Sequence, residues 1–303
     1  MGTLYRPVGP LGTRLYYARV PTRSFLRPIV AILAAMCSIQ FGASLAKGLF
    51  PLLGAVGATT VRLVLAALLL GLCYRPWRGA SLSGQRAALI GYGASLGLMN
   101  LFYYLALERV PMGIVVAVEF LGPLAVAIAA SHRAIDFLWV LLAIVGLVLL
   151  LPLQGGGAAL DLAGLGFALI AGLGWGLYIV FGTRVGADHG GRSVALGMVI
   201  GALVVLPIGG SIAGRAMFNV AALPLALAVA ILSSALPYVL EMYAMTRMPT
   251  RVFGIFMSVE PAIAALFGFA LLGEHLTLLQ QAAIGCVMLA SFGSAAASSR
   301  YPA

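Results

Sequence analysis

The 303-residue chain is 62% hydrophobic and only 9% charged, with a mean hydropathy of +1.09. A surface that apolar does not stay dispersed in water, so this is a polytopic membrane protein. Its formal net charge of +10 sits in tails and short loops, not in a stripe on a polar face, which excludes nucleic acid as a partner.

Residues 1–27 carry Arg6, Arg14, Arg19, Arg23 and Arg27 among prolines and tyrosines, with no apolar core of signal-peptide length. They read as a basic cytoplasmic tail that fixes orientation and lies against anionic lipid. Ten apolar runs follow, at about 28–48, 52–74, 85–107, 111–131, 136–152, 161–183, 193–212, 222–246, 249–272 and 276–297. A bilayer core takes roughly 20 helical residues at ~1.5 Å rise each. Each run therefore reads as a transmembrane helix, the fifth only just long enough, and an even number of spans puts both termini on one side.

Lys and Arg are enriched in short loops on the cytoplasmic side. With the N-terminus inside, the tail arginines are joined there by Arg75, Arg78, Arg86, Arg133, Arg184, Arg192, Arg247, Arg251 and Arg300. The other face holds Arg109 and Arg215, with Lys47 at a helix end and Arg62 within a helix. This asymmetry places both termini in the cytoplasm and the protein in the cytoplasmic (inner) membrane.

At an offset of 138, Ala106, Arg109, Pro111 and Pro123 recur as Ala244, Arg247, Pro249 and Pro261. The chain thus divides into five-helix repeats, 28–152 and 161–297. Because each has an odd number of spans, the two insert with opposite topology, and such inverted repeats put a site near the midplane where they meet. Glycines four apart, Gly93/Gly97, Gly172/Gly176 and Gly197/Gly201, read as seams where helix backbones approach closely.

Polar residues inside the runs are few. Glu119 precedes Pro123 by four residues, and proline has no amide hydrogen for the carbonyl of residue 119, so the helix is weakened beside its acid. A carboxylate at that depth is by default a functional site. Glu119 and Arg62 lie eight and ten residues from the same face, ~12–15 Å deep, and could meet. Glu260, beside the helix-breaking Pro261, is near the middle of the ninth helix. Two acids and one guanidinium leave at most one acid fully paired, and the other could take up and release a proton. Asn100, Tyr103 and Tyr104 share one side of the third helix, at three- and four-residue spacing; the repeat offset carries Asn100 to Tyr238 and Tyr103 to Glu241. Cys37, Cys73 and Cys286 lie inside apolar runs without ligand spacing, and His132, His189 and His275 share no helix face. No metal site or cofactor is expected.

The stretch GLMNLFYYLALERVPMGIVVAVEFLGPLAVAI, residues 97–128, resembles the threonine/homoserine exporters of the EamA group in the drug/metabolite transporter superfamily, most specifically at Glu119-Phe120-Leu121-Gly122-Pro123. The second half is similar to the general EamA repeat at Ser258-Val259-Glu260-Pro261 and Leu272-Gly273-Glu274-His275-Leu276. This resemblance implies two inverted five-helix bundles around a central cavity and secondary export of small amino acids, with protons as the coupling ion. The alternative within transport is an exporter of another metabolite or a drug. An amino acid needs partners for both its ammonium and its carboxylate, and Arg62 at the depth of Glu119 favours the zwitterion. A receptor or scaffold would need no midplane charges, and an enzyme would need a nucleophile with its base.

Reporter fusions or cysteine labelling are expected to place residues 1, 80, 188 and 303 on the cytoplasmic side and residues 110 and 215 outside. Outward labelling at 188 would reverse the second half and remove the basis of the inverted repeat.

Overall fold

The apolar runs form helices, because only a helix satisfies every backbone hydrogen bond within its own segment once water is excluded. The computed structural model describes residues 23–78, 86–129, 134–150, 161–189, 191–245, 247–248 and 250–297. Among them are no strands and thirteen helices: α1 (Arg23–Lys47), α2 (Phe50–Tyr74), α3 (Arg86–Leu107), α4 (Met112–Glu119), α5 (Leu121–Ala129), α6 (Ala134–Leu150), α7 (Leu162–His189), α8 (Gly191–Ile212), α9 (Leu223–Ala230), α10 (Leu236–Met245), α11 (Thr250–Met257), α12 (Glu260–Leu272) and α13 (Leu278–Ala297). Grouped by span they make ten apolar units, eight long enough to cross a bilayer and two shorter, Met112–Val126 and Phe137–Leu150.

Four spans are interrupted among the described residues, the second near its start at Gly54, where φ is 67°, and three others at a proline. Pro123, Pro237 and Pro261 cannot bond the carbonyls of Glu119, Ser233 and Met257. The fourth span accordingly breaks into α4 and α5 at Phe120, and the ninth into α11 and α12 at Ser258-Val259. In the eighth, α9 and α10 are joined by one π-helical segment, Ile231–Ala235. α1 starts at Arg23 and runs through Pro28, so it reaches back into the basic segment, since arginine is a good helix former and a helix need not stop at the bilayer core. Residues 1–22 lie outside the described residues, as do Arg133 and Pro249.

The helix pairings map onto themselves when spans one to five are exchanged with six to ten. α3 packs along α7, as α10 does along α1; α3 along α8, as α9 does along α2; α5 along α7, as α12 does along α1. The pairs α2 with α8 and α6 with α13 are their own images, and the fourth span meets the ninth through α4 and α12. Asn100 and Tyr238, separated by the repeat offset, touch through a hydrogen bond of 3.2 Å, so the pseudo-two-fold axis passes beside them. With five spans per half, that exchange is the inverted-repeat architecture.

The glycine seams hold these crossings together. A Cβ on Gly97 would lie 2.6 Å from the carbonyl oxygen of Gly201, and one on Gly172 would lie 2.6 Å from that of Glu119. α7 therefore runs directly against the α4–α5 break. At the end of the bundle where α4 begins, α4 is buried along its whole length within a core that includes Leu49, Leu53, Leu107, Val110, Ile114 and Val115. Beyond the break, Leu124 is the one residue of α5 that is fully buried among those whose side chains are described.

Gly97→Ala is expected to destabilise the purified protein by about 1–3 kcal/mol, because overpacking displaces backbone. Gly166→Ala, where a Cβ meets nothing within 4 Å, should instead stabilise by roughly 0.5–1 kcal/mol through helix propensity. Thermal unfolding of both variants checks the signs, and equal shifts would contradict a backbone seam at Gly97.

Candidate functional site

The α4–α5 break, the π segment and the α11–α12 break converge on one cavity of about 70 Å³. That is small beside the ~300 Å³ at the lower end of drug-sized pockets. Every polar candidate from the sequence lines it: Arg62 from α2, Asn100, Tyr103 and Tyr104 from α3, Glu119 from α4, Tyr238 and Glu241 from α10 and Glu260 from α12. Pro123 and Pro261 shape the wall by breaking the helices that carry Glu119 and Glu260.

Arg62, 1% exposed, is held by neutral groups. Its Nη1 donates to the carbonyl oxygen of Ser233 (3.3 Å) and to the hydroxyls of Ser233 and Ser234 (3.1 and 3.0 Å). Its Nη2 donates to Asn100 Oδ1, and the guanidinium lies 4.4 Å from the Tyr104 ring centroid, a cation–π contact. The Ser233 carbonyl is the one that Pro237 leaves unbonded, so the sequence defect in the eighth span supplies an acceptor to the arginine. The neighbouring carbonyl of Leu232 accepts from Ser38 Oγ at 2.6 Å. The Nε of Arg62 has no hydrogen-bond partner.

Glu119 and Arg62 share the cavity but form no ion pair, contrary to the pairing that equal depth suggested. Depth along a helix does not fix the direction around it: α2 packs on α3, α8 and α9, and its guanidinium turns toward Asn100 and Ser233. Glu260 accepts at Oε1 from Gln40 Nε2, at 3.1 Å, and lies within electrostatic reach of both Glu119 and Glu241. Unpartnered buried polar atoms gather here: Arg62 Nε, Gln40 Oε1, Glu260 Oε2 and the hydroxyls of Tyr103 and Tyr104. A buried polar group left unpaired costs ~1–3 kcal/mol, and in one cavity this set is what a polar ligand would satisfy.

Ion pairs close the end where α4 begins. Lys47 Nζ, at the C-terminus of α1, meets Glu274 Oε1 at 2.6 Å with both side chains largely covered. Glu274 Oε2 accepts from the amide of Met112 at 2.8 Å, on the first residue of α4, where a helix dipole favours an anion. Gly273, at φ 65°, ends α12 and turns the chain into Glu274. At the same end Arg109 Nη1 meets Asp161 Oδ2 at 2.9 Å, and Asp161 Oδ1 accepts from the amides of Ala163 and Gly164 to cap α7. The Arg109 hydrogen bond holds the Asp161 carboxyl below the usual carboxylate range.

Gln40, Ser233 and Ser234 are not singled out by the sequence, which places Lys47 at a helix end without showing its partner Glu274. One signal was available: the serine pair contains the residue four before Pro237, the relation that drew attention to Glu119. Trp175 and Tyr178 of α7 also line the cavity, with Trp175 edge-on to Phe120 at the break. Aromatic residues in an apolar helix carry no signal of that role.

A model of the EamA-like transporter family matches residues 162–295. A protein of Escherichia coli strain K12 with the name threonine/homoserine exporter RhtA is 54% identical over 267 residues, covering 88% of this chain and 90% of its own. Its namesake in Salmonella typhimurium strain LT2 is 52% identical over 275 residues, covering 91% and 93%. A protein of known crystal structure shares the fold, with a TM-score of 0.58 over 91% of this chain and 96% of its own at 19% identity.

Lys47→Met and Glu274→Gln should destabilise non-additively, with a coupling of ~0.5–3 kcal/mol in a double-mutant cycle. Glu274→Gln should cost more than Lys47→Met, because Glu274 also serves the α4 N-terminus. Thermal unfolding of the two single variants and the double variant tests this; additive losses would mean that the pair closes nothing.

Proposed function

Because the chain belongs to the EamA-like transporter family, we propose that it exports small amino acids of the threonine and homoserine kind across the cytoplasmic membrane in exchange for protons. The observation that carries this reading is the cavity itself: a buried guanidinium with a free Nε–H on one side and carboxylates on the other. An α-amino acid is a carboxylate and an ammonium on one carbon. Arg62 takes the carboxylate through a charge-assisted hydrogen bond, and Glu119, with Glu260 beside it, takes the ammonium. The small cavity favours such a ligand over a drug.

Charge balance supports proton coupling. Glu119, Glu241 and Glu260 against one guanidinium leave two negative charges for protons to balance, and a zwitterionic substrate, which adds no net charge, sets its ammonium in competition with a proton for Glu119. An ionised Glu119 holds the ammonium and a protonated one does not, so proton and substrate exclude each other, as antiport requires. The halves that would rock about the site are 28–152 and 161–297. With the orientation read from the loop arginines, the ion-paired end faces outside. Lys47 belongs to the first half and Glu274 to the second, so release of substrate outward requires that covered pair to part, while Arg109 and Asp161, also from opposite halves, pair at the surface.

The test is a panel of amino acids in proteoliposomes with an imposed pH gradient. Threonine and homoserine should show proton-driven exchange in the wild type. Glu119→Gln should insert and fold but lose that exchange and the pH dependence of binding. Arg62→Gln should lose amino-acid binding far more than binding of amines without a carboxylate. A wild type that moves no amino acid removes the reading. A Glu119→Gln protein that still exchanges at the normal ratio moves the coupling role to Glu260.

A further inference from the structure

An amino-acid backbone would satisfy Arg62 Nε and the carboxylates but leave two unpartnered atoms in the cavity wall, the Tyr103 hydroxyl and Gln40 Oε1. The Tyr104 hydroxyl is a poor third candidate: Tyr104 is 0% exposed and its ring is committed to the guanidinium. Tyr103 keeps 8% exposure, lines the cavity and lies within electrostatic reach of Glu119, Glu260 and Arg62. Gln40 is tied through its Nε2 to Glu260, which leaves its carbonyl oxygen as an acceptor. A phenol that can donate, together with an amide oxygen that can only accept, is the complement of an aliphatic alcohol, which both accepts and donates one hydrogen bond.

We propose that Tyr103, with Gln40 as the accompanying acceptor, forms a subsite that reads a hydroxyl on the substrate side chain and so selects hydroxylated amino acids from apolar ones of the same size. This rests on the amino-acid reading above and adds what makes the selection. Tyr103 O–H donates to the substrate oxygen, whose own proton goes to Gln40 Oε1. A ligand without the hydroxyl leaves both atoms as unpartnered as they are in the empty site, so discrimination comes from bonds gained by the right substrate.

The experiment compares threonine, homoserine and 2-aminobutyrate, which is the deoxy form of both, by competition in proteoliposomes. The wild type should prefer each hydroxylated ligand by roughly three- to tenfold, the worth of a hydrogen bond to a neutral partner. Tyr103→Phe should bring the ratio close to one, with a thermal unfolding midpoint close to the wild type reporting a folded protein. Tyr104→Phe should keep the wild-type ratio. A wild type that binds all three equally, or a Tyr103→Phe protein that keeps the preference, overturns the subsite while leaving amino-acid export standing. A wild type that binds none of them removes both.

Discussion

The structure depends on a guanidinium held inside a membrane bundle without a carboxylate against it. A charge at such depth is expensive, and it persists where other groups replace its hydration. Here the replacements are a backbone carbonyl, two serine hydroxyls, an asparagine oxygen and a tyrosine face, drawn from α3 and the eighth span. All are uncharged. They solvate Arg62 without cancelling its charge, which remains available to an anionic group in the cavity. A carboxylate of the protein in the same place would have made a stable ion pair and a poor binding site, since a ligand would first have to displace it.

That solvation comes from a defect in helical structure. Pro237 frees the Ser233 carbonyl, the π segment presents it, and Arg62 and Ser38 take up the carbonyls exposed by the irregularity. The same relation between a proline and the residue four before it sets the α4–α5 break, where Gly122 and Gly172 let α7 come against the backbone at Glu119, and the break that makes Glu260 the first residue of α12. Irregular backbone at membrane depth is tolerated where it is buried in protein or lines a cavity. Here these interrupted spans meet around the cavity that holds the polar side chains.

Much of this was legible in the sequence because apolar runs make a charged residue conspicuous. Glu119, Arg62 and Glu260 stand out in any hydropathy reading, and the offset that pairs Pro123 with Pro261 also finds Asn100 and Tyr238, which turn out to touch. What the sequence did not give up is directional. Equal depth suggested that Arg62 and Glu119 pair, yet the azimuth of α2 turns the guanidinium to α3 and the eighth span. Ser233 and Ser234 were missed because a hydroxyl barely lowers the hydropathy of a span, and Gln40 because, though as polar as Asn100, it has no proline or charge beside it to mark it. The partner of Lys47 was not legible because Glu274 is 227 positions away and only the packing of α1 against the α12–α13 turn brings them together. The helix that composition did not foresee, Arg23 to Arg27, extends past the apolar run that marks a span.

The placement of the ion pairs bears on how the fold could cycle. The contact at the α4 end is polar and local: Glu274 binds Lys47 and the α4 amide at once, so one carboxylate ties the α12–α13 turn to both α1 and α4. The cavity lies behind α4, on the side of the break where the helix is fully buried. α4 is joined to α5 through Phe120, whose ring meets Trp175, a residue of the cavity wall. Glu119 is the last residue of α4, and the Glu274 carboxylate holds its first. One short rigid helix therefore connects the charge at the site to the Lys47–Glu274 ion pair.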